Sequence, residues 1–120
     1  MLIYGRRFYL IMGDFDYLIG FIEEPRDKKL REIGRFRATS FECNISAGGD
    51  SKKEAARKLA HLLEGYIAEA IDREINPYHT RVKNLEEFGK YCVKNRRLPK
   101  KVCDIEIEGG LTLRCYDMTS

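Results

Sequence analysis

The feature that most constrains this chain is an apolar stripe. Ala55, Ala56, Leu59, Leu62, Leu63, Tyr66, Ile67 and Ala70 recur at steps of three and four, the period of one broad helix face. Lys53, Arg57, Lys58, His61 and Glu64 fall away from it. Ser51 with Glu54 three residues on reads as a capping box, so the helix is expected to begin at about Ser51. It can run to about Arg73, because Asn76-Pro77 disfavours continuation. A helix with one such face needs a layer to lie on, and a chain of 120 residues has room for one core.

The rest of the chain supplies that layer as strands. Arg6 to Met12 and Tyr17 to Glu23 are rich in aromatic and β-branched residues and flank Gly13-Asp14-Phe15-Asp16, a hairpin signature. Glu24 to Lys29 is polar and contains proline, so it reads as an exposed connection. In the next strand, Leu30 to Ala38, Arg31, Arg35 and Arg37 share one face, either a basic stripe or a solvated one. Phe41, Cys43, Ile45 and Ala47 alternate with polar residues, which predicts a half-buried strand feeding a Gly48-Gly49 turn. Asn84 with Glu87 predicts a second capped helix, with Leu85, Phe88, Tyr91 and Cys92 on its apolar face and an end near Asn95.

The last hairpin can be read to its register. A two-residue Gly109-Gly110 turn would set Glu108 and Glu106 opposite Leu111 and Leu113. A three-residue loop, Glu108 to Gly110, instead pairs Ile107 with Leu111, Ile105 with Leu113 and Cys103 with Cys115, and leaves Asp104 facing Arg114. The second register is preferred. The expected fold is α+β, a single compact domain with an antiparallel sheet of about five strands, made of two hairpins and a central strand. One long helix covers one face of that sheet, and a short helix follows it.

Two stretches suggest a ligand. The first turn of the long helix has uncompensated N–H groups, and Ser51, Lys52, Lys53 and Arg57 stand at or near it, a combination suited to a phosphate. Arg96, Arg97, Lys100 and Lys101 form the densest positive cluster. A net charge of +3 permits nucleic-acid binding without requiring it. Asp14, Asp16, Glu23 and Glu42 lie on or near strands, where two could meet over a metal, but nothing in their spacing demands it. No Ser, Cys and His arrangement signals nucleophilic catalysis, so a non-enzyme is expected, without cofactor or metal. The four cysteines are far apart, a poor zinc spacing, and are expected reduced and mostly buried. No segment is apolar enough to cross a membrane, and Met1 to Gly5 lacks the order of a signal peptide; a cytoplasmic protein is expected. Tyr4, Phe15, Tyr17, Tyr78 and Tyr116 are expected as exposed aromatics, and an edge strand is open to homodimer pairing.

Ser51-Lys52-Lys53-Glu54-Ala55, followed by Leu59-Ala60 and Leu62-Leu63-Glu64, resembles the last helix of a double-stranded RNA-binding domain. The resemblance covers about Phe41 to Tyr66. It implies that Lys52 and Lys53 contact phosphates across the major groove of an A-form duplex, read by shape. That family sets its first helix ahead of three strands, whereas this chain starts with strands. The order hairpin, third strand, Gly-Asp-Ser, Glu54-Ala55 and helix to Tyr66 also resembles the partial RNase H-like fold of HicB-type antitoxins. This second resemblance implies a module that binds and inhibits a partner protein. Duplex RNA is the favoured ligand and a partner protein the alternative.

Overall fold

The computed structural model describes residues 17–25, 34–75, 78, 84–107 and 111–118. At its centre is β1 (Leu18–Glu23), whose side chains from Leu18 to Ile22 are all buried. A strand buried on both faces loses the polar alternation of a surface strand and reads as a continuous apolar run. Leu18-Ile19-Gly20-Phe21-Ile22 is such a run. Around it stand β2 (Phe36–Ser40), β3 (Ser46–Gly49), β4 (Lys100–Ile107) and β5 (Leu111–Asp117), in the sheet order β3-β2-β1-β5-β4. Two helices, α1 (Lys52–Asp72) and α2 (Asn84–Lys94), complete the α+β fold.

The sheet is mixed, which corrects the antiparallel expectation. β1 runs parallel to β5, with Leu18 opposite Leu113 and Gly20 opposite Cys115. The reason lies in the final hairpin, whose two strands differ in polarity. β5 buries Leu111, Leu113 and Cys115, while β4 exposes Lys100, Lys101, Asp104 and Glu106. The apolar strand takes the place beside β1 and the charged one takes the edge. Because β4 and β5 are antiparallel, β4 at the edge runs opposite to β1. Within the hairpin the pairs are Cys103 with Cys115, Ile105 with Leu113 and Ile107 with Leu111, as the alternation predicts. Asp104 and Arg114 lie opposite each other with a 3.1 Å ion pair.

α1 crosses one face of the sheet. Ser51 is extended (φ −134°, ψ 162°), and its Oγ accepts from the Glu54 N–H at 3.1 Å, so the cap is where the sequence places it. Ala55, Ala56, Leu59, Ala60, Leu63, Ile67, Ala70 and Ile71 are buried. Each large aliphatic among them contributes about 1.5–3 kcal/mol by leaving water. Leu62 and Tyr66, expected on the stripe, are exposed, Leu62 beside the edge strand β3 and Tyr66 toward the C-terminal end of the helix. Gly48 and Gly49 belong to β3 and do not form a turn. A Cβ on Gly49 would stand 2.5 Å from the Ala55 nitrogen, so the absent side chain is what lets α1 start so close to the sheet.

Further differences from the expected elements have local causes. Phe41 to Ile45 is the tight connection between β2 and β3, with Asn44 in the left-handed region (φ 57°). Its alternation came from side chains turned to different clusters: Cys43 joins the α1 side and Phe41 the α2 side. Arg6 to Met12 lies outside the described residues, and both edges of β1 are taken by β2 and β5. The sheet is also covered on its second face, where Phe88 and Cys92 of α2 pack with Ile19, Phe21 and Met118. Leu85 is exposed despite its expected place on that face. Tyr78 is buried, and Tyr17 and Tyr116 are half-buried, so none of the three is an exposed aromatic. Tyr4 and Phe15 lie outside the described residues.

Candidate nucleic-acid interface

Topology decides what meets the start of α1. β2 is antiparallel to both β1 and β3, so β1, β3 and β5 all point the same way. Their C-terminal ends gather at one end of the sheet, and α1 begins there, directly after β3. β4 starts at that same end, with Lys100 paired in register with Asp117, the last residue of β5. Asp117 also accepts an ion pair from Lys52 Nζ. Asp117 thus holds Lys52 through its carboxylate and stands beside Lys100 through its backbone, two basic positions far apart in sequence.

The remaining predicted residues sit around this link. Lys53 and Arg57 are exposed on α1 and make no ion pair with any described residue. Lys52 is less available, because Asp117 offsets its charge and its Nζ lies 5.8 Å from the Phe36 ring centroid. Arg96 adopts φ 54° just past α2 and is exposed. Arg97 Nη1 donates to the Met118 carbonyl at 2.9 Å, and the Met118 N–H donates to the Ile22 carbonyl at 2.8 Å, which ties that loop to the end of β1. Lys100 is exposed, and Lys101 pairs with Asp104 at 2.9 Å. That hydrogen bond, with Arg114, holds the Asp104 carboxyl below its ordinary range. Ser51 acts as the helix cap, and Glu54 turns to Lys58 at 3.0 Å, away from the Lys53 position.

Sequence reasoning missed Asp117, whereas Arg35, just before β2, and Arg37, within it, are two of the three arginines it set on one strand face as either a basic stripe or a solvated one. Arg35 pairs with Glu24 at 3.1 Å, and an Arg37 amino group stands 3.9 Å from Glu23. The Arg37 Nε is buried without a hydrogen-bond partner. Both belong to the same end of the sheet, whereas Arg31 lies outside the described residues. For Asp117 a signal existed: the hairpin register, run toward its open end, sets it near the Lys100-Lys101 pair. A β-bulge between Lys101 and Cys103 then selects Lys100 as the partner.

The carboxylates considered for a metal do not form a centre. Asp14 and Asp16 lie outside the described residues, and Glu23 and Glu42 are near opposite ends of β1. Glu42 is 0% exposed and accepts from the Ile19 N–H at 3.0 and 3.1 Å and from Asn84 Nδ2 at 2.6 Å. Burial pushes its pKa up to about 7, against the lowering effect of those hydrogen bonds. Asn84 Nδ2 also donates to the Tyr17 carbonyl at 2.8 Å. Its amide therefore serves as a donor tying α2 to β1, not as the helix cap that the Asn84–Glu87 spacing suggested. Among the described residues, no three His, Cys, Asp or Glu side chains gather as metal ligands. The four cysteines are free thiols, three of them buried. No described helix is long and apolar enough to cross a membrane. Comparison with protein-family models, with curated proteins and with solved structures gives no match.

Proposed function

We propose that this chain binds nucleic acid through the end of its sheet, gripping backbone phosphates with the first turns of α1 and the Arg96–Lys101 segment together. The observation that carries this reading is the position of Asp117, whose carboxylate pairs with Lys52 and whose backbone lies in register with Lys100. Two basic stretches that the sequence presents separately thereby form one surface of mixed ammonium and guanidinium groups. Lys53, Arg57 and Lys100 supply its unpaired cations, and α1 adds the free N–H groups of its first turn. Lys52 acts chiefly as a tether. Duplex RNA is the favoured ligand, since the order of β1, β2, β3 and α1 matches the three strands and last helix of the resemblance.

The test is a salt titration of binding to labelled duplex RNA, duplex DNA and single-stranded RNA. Lys53→Ala and Lys100→Ala should each lower the salt slope by about one unit, and the double variant by about two, with affinity falling evenly across sequences. Duplex RNA should bind tightest at physiological salt. Absence of binding to all three, or an unchanged slope in the double variant, would remove this surface from the account.

A further inference from the structure

Cys103 of β4 and Cys115 of β5 are direct partners across the final hairpin. Both side chains lie on the α1 face, Cys115 fully buried in that cluster and Cys103 packed against it and partly exposed. Opposite residues of an antiparallel pair hold their Cα atoms about 4.5 or 5.5 Å apart, and a disulfide spans about 4.4–6.8 Å, so the bond is within reach of a settled backbone. The two thiols already share a hydrogen bond. On its other side Cys115 faces Gly20 of β1, where a Cβ would stand 3.2 Å from the Cys115 Sγ, so the absent side chain leaves that sulfur room to turn. The remaining cysteines are elsewhere. Cys92 packs under α2, and Cys43 follows β2, which β1 separates from β5.

We propose that Cys103 and Cys115 form a dithiol site that a small disulfide of the glutathione type oxidises to a cross-strand disulfide, stapling β4 to β5. Cys103 attacks first, because it is the thiol that solvent reaches. Burial and the neighbouring Cys103 thiol push the Cys115 thiol up, which keeps Cys115 protonated until its partner has reacted. Cys103 gives its proton to solvent, and its thiolate attacks one sulfur of glutathione disulfide. A bond from Cys103 to glutathione forms, the glutathione S–S bond breaks, and one glutathione leaves as thiolate. Cys115 then gives its proton to solvent and attacks the Cys103 sulfur, so that the Cys103–Cys115 bond forms and the second glutathione leaves. Both departing thiolates take up a proton. The protein dithiol has lost two electrons and glutathione disulfide has gained them. The consequence falls on the start of β4. A bulge between Lys101 and Cys103 breaks the pairing just ahead of this site, and among the described residues β4 has a strand neighbour only in β5. The disulfide pins the strand immediately after that bulge and so keeps Lys100 opposite Asp117. The site stands on the geometry of the hairpin, whether or not the nearby surface binds nucleic acid.

The experiment holds the native full chain in buffers of graded ratio of reduced to oxidised glutathione, quenches with acid and alkylates the remaining thiols in denaturant. At the oxidising end, two of the four thiols should escape alkylation. Trypsin cuts after Lys101 and Arg114, and so should release two peptides joined only through Cys103 and Cys115. Amide exchange across Lys100–Ile107 should slow at least about tenfold in the oxidised chain, stay unchanged in α1, and recover on reduction. Cys103→Ser, at a partly exposed position, should keep the parent's exchange in α1 and lose both the linkage and the slowing. The peptide map of the parent decides the matter even where that variant unfolds. Four alkylated thiols at every ratio, linkage of any other pair of cysteines, or a glutathione adduct that stays on Cys103 would overturn the proposal. So would linkage between two chains, or linkage within one chain that leaves exchange in β4 as it was.

Discussion

The two faces of the sheet are closed by different physical means. Under α1 the contact is aliphatic: Leu59, Leu63 and Ile71 are fully buried against Leu18, Ile22 and Leu113 from the strands. Under α2 it is aromatic, with Phe21, Phe41, Phe88, Tyr91 and Tyr116 in mutual ring contact at centroid distances of 5.3 to 6.3 Å. Among the described residues, only the α2 side contains a buried carboxylate latch, with Glu42 joined to the Ile19 N–H and to Asn84. A long helix spreads its burial over many aliphatic side chains, and that burial does not titrate. A helix of 11 residues held by a few rings and one polar latch concentrates its stability in a few side chains, one of them ionisable. The α1 side should behave as the cooperative core and the α2 side as the part that opens first.

The largest expected effect breaks the α1 side. Leu59→Ala removes a fully buried side chain from the middle of the helix and should cost about 2–5 kcal/mol in denaturant unfolding. A loss below about 1 kcal/mol would mean that the core is not where the packing puts it.

Next comes the latch. Glu42→Ala strands the Ile19 N–H and the Asn84 amide in a buried site and should cost about 2–4 kcal/mol. Faster amide exchange should be concentrated in α2 and spare α1. Uniform acceleration in both helices would erase the contrast between the faces.

The same carboxyl sets a pH dependence. Its folded pKa of about 7 lies above the ordinary 4.5, so the folded state holds the proton more tightly than the unfolded state. This stability is fully present below about pH 4.5 and is lost as pH rises through about 7. The fall is on the order of 3 kcal/mol, before contributions from other groups. Glu42→Gln keeps an acceptor oxygen and has no charge to titrate, so it should flatten this slope. An identical slope in the variant would assign the dependence elsewhere.

The smallest effect belongs to the surface. A double-mutant cycle on Asp104 and Arg114, both partly exposed at a 3.1 Å separation, should give a coupling of about 0.2–1 kcal/mol that declines with added salt. A coupling several times larger would make the β4 edge a second source of stability.

Much of the local structure was legible in the residues. The Ser51 cap and the helix to Asp72 follow from periodicity and from chemistry three residues apart, and the final hairpin register follows from strand alternation. The short second helix was legible too, though Asn84 turned out to be a bridge rather than a cap. The segment from Phe41 to Ile45 misled, because alternation marks side chains that diverge and does not say whether the backbone between them is a strand or a turn. At the candidate site, the basic residues were named from the sequence, but Asp117, which joins them, was not.

What the sequence by itself determined is whatever neighbours in the chain decide: where α1 starts and stops, which residues of the last hairpin face each other, and which positions carry charge. The tertiary structure decided which strand of that hairpin enters beside β1, that Gly49 meets Ala55, that Glu42 is buried, and that Lys52 reaches Asp117. Each of these depends on groups far apart in the chain competing for the same buried edge or face. Local periodicity records which side of an element is apolar, but the partner for that side is chosen only when all the elements pack.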